Sequence, residues 1–457
     1  MLRGADAAAR NRRAVESHDR IARLTETGLA PRRAAVVILA AVRRGLPFDV
    51  ALEREIDPLT DADRRLAHEL AAGVLRHAGP LDTLLGNFIP RGIGSVAPPL
   101  LDVLRIGAYQ LRMLDRIPAH AAVTTSVALA RERAGERVTG FTNAVLRRIA
   151  QMPPGDPARE DLDDVARLAG KWSHPAWLVA RWLARFGAGD TDALLAWNNS
   201  RPALIVQPGR GALLDLERRF DADGVRCAPA PYGAGVEVHA SHPERLPGFA
   251  AGDFFVQDAA QALVIRFCAI PAGALVYDAC AAPGGKTLAL SHQGARVVAA
   301  DGSIRRIRRL HDNIARAGTG NETVVAADAM HPPLRQVDAY LLDAPCLGTG
   351  TFARHPDARL RVTEEALLHL AAQQAAMLDA AAARVAPGGL LCYATCSLEP
   401  EENDMQITGF LRHHPEFSRQ PPDDFPRELL TPAGDLVLLP QRDGIDGAFA
   451  ARLRRIR

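Results

Sequence analysis

The stretch Gly273-Ala-Leu-Val-Tyr-Asp278-Ala-Cys280-Ala-Ala-Pro-Gly-Gly-Lys286-Thr287 decides how the chain is read. Its apolar run predicts a short buried strand, Leu275–Asp278. Small residues and a proline follow from Ala281 to Gly285. Lys286, Thr287, Leu288 and Leu290 then open a helix. Strand, tight turn and helix make the layout of a nucleotide- or cofactor-binding α/β unit. Small residues let backbone N–H groups and the helix N-terminus come close to a polar ligand. Gly284-Gly-Lys-Thr287 looks like the end of a P-loop, but that loop needs a glycine with four residues between it and its Gly-Lys pair, and Cys280 stands there. A dinucleotide G-x-G-x-x-G is also missing, so neither a nucleoside triphosphatase nor a dinucleotide enzyme is expected.

The units around this stretch repeat its pattern. Further strands are expected at Arg296–Asp301, Thr323–Ala327, Ala339–Asp343 and Leu390–Thr395, with helices such as Ile304–Ala317 and Glu364–Val385 between them. Alternating strands and helices imply a doubly wound, mostly parallel sheet. Acids close the strands: Asp278, Asp301, Asp328 just past the third, and Asp343. Ligands of open α/β sheets sit at the carboxyl ends of the strands. A carboxylate at the second strand can accept from both hydroxyls of a ribose, and Asp328 can accept from an adenine amino group. In Ile304–Ala317 the residues Ile304, Ile307, Leu310 and Ile314 form one stripe, which turns Arg305, Arg306, Arg308 and Arg309 to other sides.

Two cysteines follow strands directly: Cys346 in Asp343-Ala-Pro-Cys-Leu-Gly-Thr-Gly350, and Cys396 in Tyr393-Ala-Thr-Cys-Ser397. If those strands are neighbours, both thiols share the ligand edge. Cys227, Cys268 and Cys392 are read as buried hydrophobes, and Cys280 as a shaper of the turn.

Composition bounds the rest. At 457 residues, with 48% hydrophobic and 24% charged, the chain is an ordinary globular protein of several domains. No apolar run is long enough to span a membrane, no secretory signal is evident, and the six cysteines contain no C-x-x-C pair. A reducing cytoplasm, free thiols, no metal and a monomer are expected. Of 55 basic residues only Lys171 and Lys286 are lysines, which marks the ammonium inside the turn.

Four regions are drawn: a basic tail at 1–30, a helical domain at 31–151, linker helices and a small α/β subdomain at 152–250, and the strand–helix domain at 251–457. Helical periodicity runs through Ala34–Val42, Leu66–Leu75, Leu101–Leu114, Ala121–Ala130 and Phe141–Ile149. Asp61 is expected to cap one helix, with Pro118 and Gly140 punctuating others. Arg76 and Arg105 cap or bridge helices or else meet RNA, and His120 caps or packs. The Met152–Pro157 cluster breaks the chain, and Trp172, Trp177, Trp182 and Trp197 gather behind it. Leu204–Val206 and Val236–Val238 read as short strands.

Residues 31–151 resemble the NusB-like RNA-binding domain through Asp63-Arg64, Gly73-Val-Leu-Arg76, Leu104-Arg-Ile-Gly-Ala-Tyr-Gln-Leu111, Ile117-Pro-Ala-His120-Ala-Ala-Val123 and Asn143-Ala-Val-Leu-Arg147. Asp278-Ala-Cys-Ala-Ala-Pro-Gly-Gly-Lys-Thr287, Asp343-Ala-Pro-Cys346, Gly348-Thr-Gly350, Arg354-His-Pro-Asp357, Thr395-Cys-Ser397, Glu402-Asn403, Asp446-Gly447 and Phe449-Ala-Ala-Arg452 resemble the RNA cytosine-5 methyltransferases. Together they resemble the bacterial Sun/Fmu/RsmB type, which acts on small-subunit (16S) ribosomal RNA.

The resemblance implies a Rossmann-like class I domain that uses S-adenosylmethionine. Cys280, Ala281, Ala282, Pro283, Gly284, Gly285 and Lys286 would wrap the methionine end. Asp301 would hold the ribose, Asp328 the adenine edge, and Asp343 would lie between cofactor and base. Cys396 would be the nucleophile, Cys346 would aid product release, and Lys286 would serve electrostatics or base contact. A thiolate adding to carbon 6 makes carbon 5 an enamine nucleophile. A hydrogen bond at N3, from a protonated Asp343, would stabilise the developing charge. Leu347 stands where the family usually has Ser, and Ala358-Arg-Leu-Arg361 replaces the usual Ile-Lys-Trp, so contacts there are expected to differ. The same chemistry on tRNA, and a non-catalytic assembly factor, are the alternatives; the helical domain argues against the first, both cysteines and the cofactor turn against the second.

Overall fold

The computed structural model describes residues 28–153, 162–240 and 242–456. The basic tail up to residue 27 and the breaker cluster from residue 154 lie outside the described residues. The chain divides into two compact units, one reaching Asn199 and including His355–Arg361, the other holding Ser200–Arg354 and Val362–Arg457.

The first unit is helical: α1 (28–43), α2 (Phe48–Ile56), α3 (Asp61–Arg76), α4 (Ala78–Gly86), α5 (Pro98–Met113), α6 (Ala119–Ala134), α7 (Thr139–Ala150), α8 (Asp164–Trp172) and α9 (Ala176–Asn198). Leu39, Leu70, Val103, Ile106, Leu129 and Leu146 meet in one core, the product of the apolar stripes read from the sequence. The caps differ from expectation. Thr60, not Asp61, caps α3, its hydroxyl accepting from Asp63 N, while Asp61 and Asp63 supply negative charge to the first turn. Gly140 lies inside α7; Gly135, at φ +86°, ends α6, because a stop needs the positive φ that glycine tolerates. Arg105 bridges α5 to α4 through two 2.7 Å bonds to Asp82. Arg76 is buried. His120 stands exposed at the start of α6 instead of packing. Of the four tryptophans, Trp182 is fully buried in α9, and Trp172 donates to Asp192 at 2.7 Å.

The second unit opens with a small antiparallel sheet. Its elements are β1 (Leu204–Pro208), α10 (Leu213–Ala222), β2 (Cys227–Pro229), β3 (Val236–Val238) and β4 (Phe254–Val256), in strand order β2-β3-β1-β4. Val206, Phe220, Val236 and Phe254 form its core. Cys227 sits half-buried on edge strand β2, unlike Cys268 and Cys392, which are fully buried as expected.

The main sheet follows, with α11 (Ala259–Cys268), β5 (Leu275–Asp278), α12 (Gly285–His292), β6 (Arg296–Asp301), α13 (Ile304–Ala317), β7 (Glu322–Ala326), β8 (Val337–Asp343), α14 (Glu364–Ala382), β9 (Val385–Thr395), α15 (Asp404–His413), β10 (Phe417–Arg419), β11 (Leu436–Leu438), α16 (Pro440–Asp443) and β12 (Ala448–Arg455). The order is β10-β12-β9-β8-β5-β6-β7, with β11 paired to β12. Strands β5 to β9 pair in parallel, and β12 joins β9 antiparallel. The doubly wound, mostly parallel sheet is therefore as expected. The strand order switches sides between β5 and β8: β6 and β7 are added on one side of β5, β8 and β9 on the other, which opens a crevice at the carboxyl ends of β5 and β8. Register brings Asp343 level with Ala394, one residue before the end of β9. The stripe on α13 is narrower than the pattern suggests: Leu310 is buried but Ile304, at the first turn, is exposed.

One close approach tests the helical packing. A Cβ on Gly79 would meet the carbonyl oxygen of Gly170 at 2.2 Å, and backbone cannot step aside. Gly79→Ala is expected to lower stability to denaturant by about 1–3 kcal/mol. Chemical denaturation would measure the loss, and an unchanged midpoint would contradict this α4–α8 packing.

Candidate active site

The β5–α12 turn and the ends of β8 and β9 come together. Cys280, Ala281, Ala282, Pro283, Gly285, Lys286 and Asp343 line one cavity of about 410 Å³, with Asp278, Gln257, Gln261 and Asn313. Gly284, at φ +114°, turns the chain into α12, and a Cβ there would come within 2.9 Å of Leu310. Lys286 Nζ donates to Asp343 Oδ2 at 2.7 Å and also to Gln261 Oε1. Burial alone would lower the ammonium's pKa; Asp343 outweighs it and the net direction is upward, so Lys286 is a cation. Asp343 is thus engaged as the carboxylate of an ion pair, where the sequence reading had it protonated toward the base.

Beyond the turn, Asp278 is fully buried. Its Oδ2 accepts from Thr287 Oγ1 at 2.7 Å, and its Oδ1 has no partner. Burial, with only partial relief from Thr287, pushes its carboxyl up to about 7. Burial likewise raises the Cys280 thiol to about 12, which fits a turn-shaping residue and not a nucleophile.

Asp301 and Asp328 stand at the next strand ends and do not line this cavity. Asp301 is buried; its Oδ1 accepts from Ser303 N at 2.8 Å and meets Arg306 at 3.0 Å, while its Oδ2 is unpartnered. Arg306 is therefore a partner of Asp301. Asp328 is exposed and accepts from Met330 N at 2.9 Å.

The two cysteines meet as expected for neighbouring strands: Cys346 Sγ lies 3.4 Å from Cys396 Sγ, and both are free. That contact and burial push the Cys346 thiol up, so it keeps its proton. Their loops are held by buried polar groups. Glu402 accepts from Leu347 N at 3.0 Å, and Gln374 Nε2 donates to both Pro345 O and Glu402. Gly350 N donates to Cys396 O at 2.9 Å, and a Cβ on Gly350 would strike Gly447 at 2.7 Å. At Leu347 the backbone N–H is held by Glu402 and the apolar side chain is buried.

The Arg354-His-Pro-Asp357 motif serves two structural tasks. Arg354 bridges Asp258 at 2.5 Å and Asp446 at 2.6 Å. Asp357 accepts from Phe48 N within the helical unit. Arg359 is fully buried there, donating to Asn198 O, Asn199 Oδ1 and Trp172 O. It is an internal strut and not a substrate contact.

Gln257, Gln261 and Asp278 were not read as site residues. Gln257-Asp-Ala-Ala-Gln261 carries a helix-start signal, with Asp258 capping α11, but nothing in the string reveals that its amides face a cavity.

Residues 269–454 match the family model described as 16S rRNA methyltransferase RsmB/F, and residues 29–151 match the NusB family. A probable ribosomal RNA small subunit methyltransferase B of Synechocystis sp. is 32% identical over 451 residues, covering 93% of this chain and 100% of the relative. The chain belongs to the RsmB/F family of 16S rRNA methyltransferases. A ribosomal RNA small subunit methyltransferase B of Vibrio vulnificus is 34% identical, covering 84% of this chain and 90% of its own. The crystal structure of PH0851 superposes with a TM-score of 0.76 at 25% identity, covering 92% of this chain and 98% of that one. RsmB/F proteins are S-adenosylmethionine-dependent rRNA methyltransferases, and the NusB-like domain read from the sequence is matched over residues 29–151. Among the described residues no helix is long and apolar enough to cross a membrane, and no cluster of His, Cys, Asp and Glu is suited to a metal.

The chain fits the cofactor. The unpartnered Asp301 oxygen suits a ribose hydroxyl, and the unpartnered Asp278 oxygen and the first turn of α12 suit the ammonium and carboxylate of an amino acid. Asp278 makes this testable. Its folded pKa near 7 lies above the unfolded value of 3.8, so the folded state binds the extra proton, and stability falls as pH rises from about 4 through 7. Asp278→Asn removes this slope. Melting temperatures of the two ligand-free proteins should diverge in favour of Asn as pH rises from 5 to 8, and parallel curves would refute the assignment.

Proposed function

We propose that the chain methylates carbon 5 of a cytosine in small-subunit rRNA, through a covalent bond between Cys396 and carbon 6 of the base. The observation that carries this reading is the pair of free thiols 3.4 Å apart, at the sheet edge that also holds the Lys286–Asp343 pair. When bound, S-adenosylmethionine supplies an electrophilic methyl group. Cys280 to Lys286 would hold its methionine end, Asp301 its ribose, Asp328 its adenine edge, and Asp343 the boundary with the base.

The chain's own residues account for the remaining steps. Lys286 is a buried cation on which Cys396 acts electrostatically, so the two lie within one local field. Cys396 Sγ adds to carbon 6, and the displaced π electrons reach carbon 5, which takes up the methyl group. Carbon 5 then loses its proton, the double bond re-forms and the sulfur–carbon bond breaks. Cys346, held protonated beside Cys396, donates to the departing sulfur and is restored by the proton lost from carbon 5. The Lys286–Asp343 pair offers a donor and an acceptor to the base edge as charge develops. The target must leave its stack to enter. Arg116, Arg133, Arg137 and Arg148 stand exposed on the helical unit and support its role in RNA affinity. The same reading places the protein in the cytoplasm, where rRNA is made.

Bisulfite mapping of rRNA from a strain lacking the protein should show one small-subunit cytosine losing its methyl group; no lost site would reject the substrate. Cys396→Ala should abolish methylation and covalent RNA adducts. Cys346→Ala should accumulate the adduct, and the opposite pattern would exchange the two roles.

A further inference from the structure

Gln257 joins β4 of the small sheet to α11 of the main unit. It is 6% exposed, and neither its Nε2 nor its Oε1 has a hydrogen-bond partner. A buried amide is rarely left unpaired, because each unmet donor or acceptor keeps its desolvation cost. The backbone that carries this one is fixed. Gln257 N donates to Ile205 O at 3.2 Å, and Gln257 O accepts from the buried Gln207 Nε2 at 3.3 Å. The side chain packs against Gly285, where a Cβ would lie 3.4 Å from Gln257 Nε2. The amide thus lines the cavity beside Gln261, Lys286 and Asp343.

We propose that the Gln257 amide binds the target cytosine, holding its N3/N4 edge in the plane where carbon 6 meets Cys396. This rests on the cytosine-5 reading above. An amide offers one donor and one acceptor on a single edge. Cytosine offers the complement, an N4 amino donor beside the N3 acceptor. The other ligand of the cavity, the amino-acid end of the cofactor, is a zwitterion. It already has charged complements in Asp278 and the N-terminus of α12. A neutral amide flanking the Lys286–Asp343 pair is better matched to a neutral base edge. A rotated amide would also fit uracil, so Gln257 orients the base and is not the source of discrimination between the two.

The test is Gln257→Met, which keeps length and removes both polar atoms. Wild type and variant are compared for methyl transfer into unmodified small-subunit rRNA, for covalent adduct with the same RNA, and for calorimetric binding of S-adenosylhomocysteine. Transfer and adduct formation are expected to fall about 10- to 30-fold, the loss of one or two neutral hydrogen bonds, with S-adenosylhomocysteine affinity unchanged within about twofold. Retained affinity also reports that the variant is folded. A fall in S-adenosylhomocysteine affinity with adduct formation intact would assign the amide to the cofactor and overturn the proposal. Unchanged values throughout would overturn it as well. A wild-type protein that forms no adduct would instead count against the cytosine-5 reading itself.

Discussion

The ion pair between Lys286 and Asp343 ties the site together. It joins the first turn of α12 to the carboxyl end of β8, the two sides of the crevice where the strand order switches sides. An ammonium this deeply placed is tolerated only with a partner, since breaking a buried pair leaves an uncompensated charge at a cost of about 3–5 kcal/mol. The pair therefore fixes how far the cofactor turn stands from the strands that carry Cys346 and Cys396. Gln261 completes the shell around the ammonium and brings in the start of α11. A guanidinium would not replace this point charge, which makes sense of a lysine in a chain whose other cations are nearly all arginine.

The cysteine loops follow the same logic. Two thiols in contact must be held by groups that do not themselves react. Glu402, Gln374, Thr349 and Asn403 do this with hydrogen bonds to the loop backbone, all buried. Gly350 allows the two loops and the segment before β12 to touch, with its N bound to Cys396 O and its O accepting from Gly447 N. Because these contacts use backbone atoms, side chains along the loop can vary. Leu347 is such a case.

The sequence made some elements legible to the residue and left others hidden. Leu275–Asp278, Arg296–Asp301 and Ile304–Ala317 appear with the bounds read from the string, because buried strands and capped helices impose patterns that few other structures share. The meeting of Cys346 and Cys396 followed from their places after adjacent strands. Helix ends were less legible. Thr60 caps where Asp61 was expected, and Gly135 stops a helix where Gly140 does not, since both choices turn on backbone angles. Arg359 lies in the stretch where contacts were expected to differ from the family's, and it is an internal strut, a placement set by distant Asn198 and Asn199. Gln257 and Gln261 were invisible because an amide has no period and no fixed partner in sequence; only the fold brings Gln261 against Lys286 and Gln257 to the same cavity.

The unpartnered groups at this edge have a common meaning. Asp278 Oδ1, Asp301 Oδ2 and the Gln257 amide are all buried, and all lie on segments bordering the crevice. Each costs free energy in the ligand-free chain, and none is relieved by a neighbour. Pairing them internally would stabilise the fold but consume the groups that a ribose, an amino acid and a base edge require. The crevice is thus preorganised at the expense of stability. Ligands that satisfy these groups should return that free energy as binding, and the folded state should tighten as the site fills.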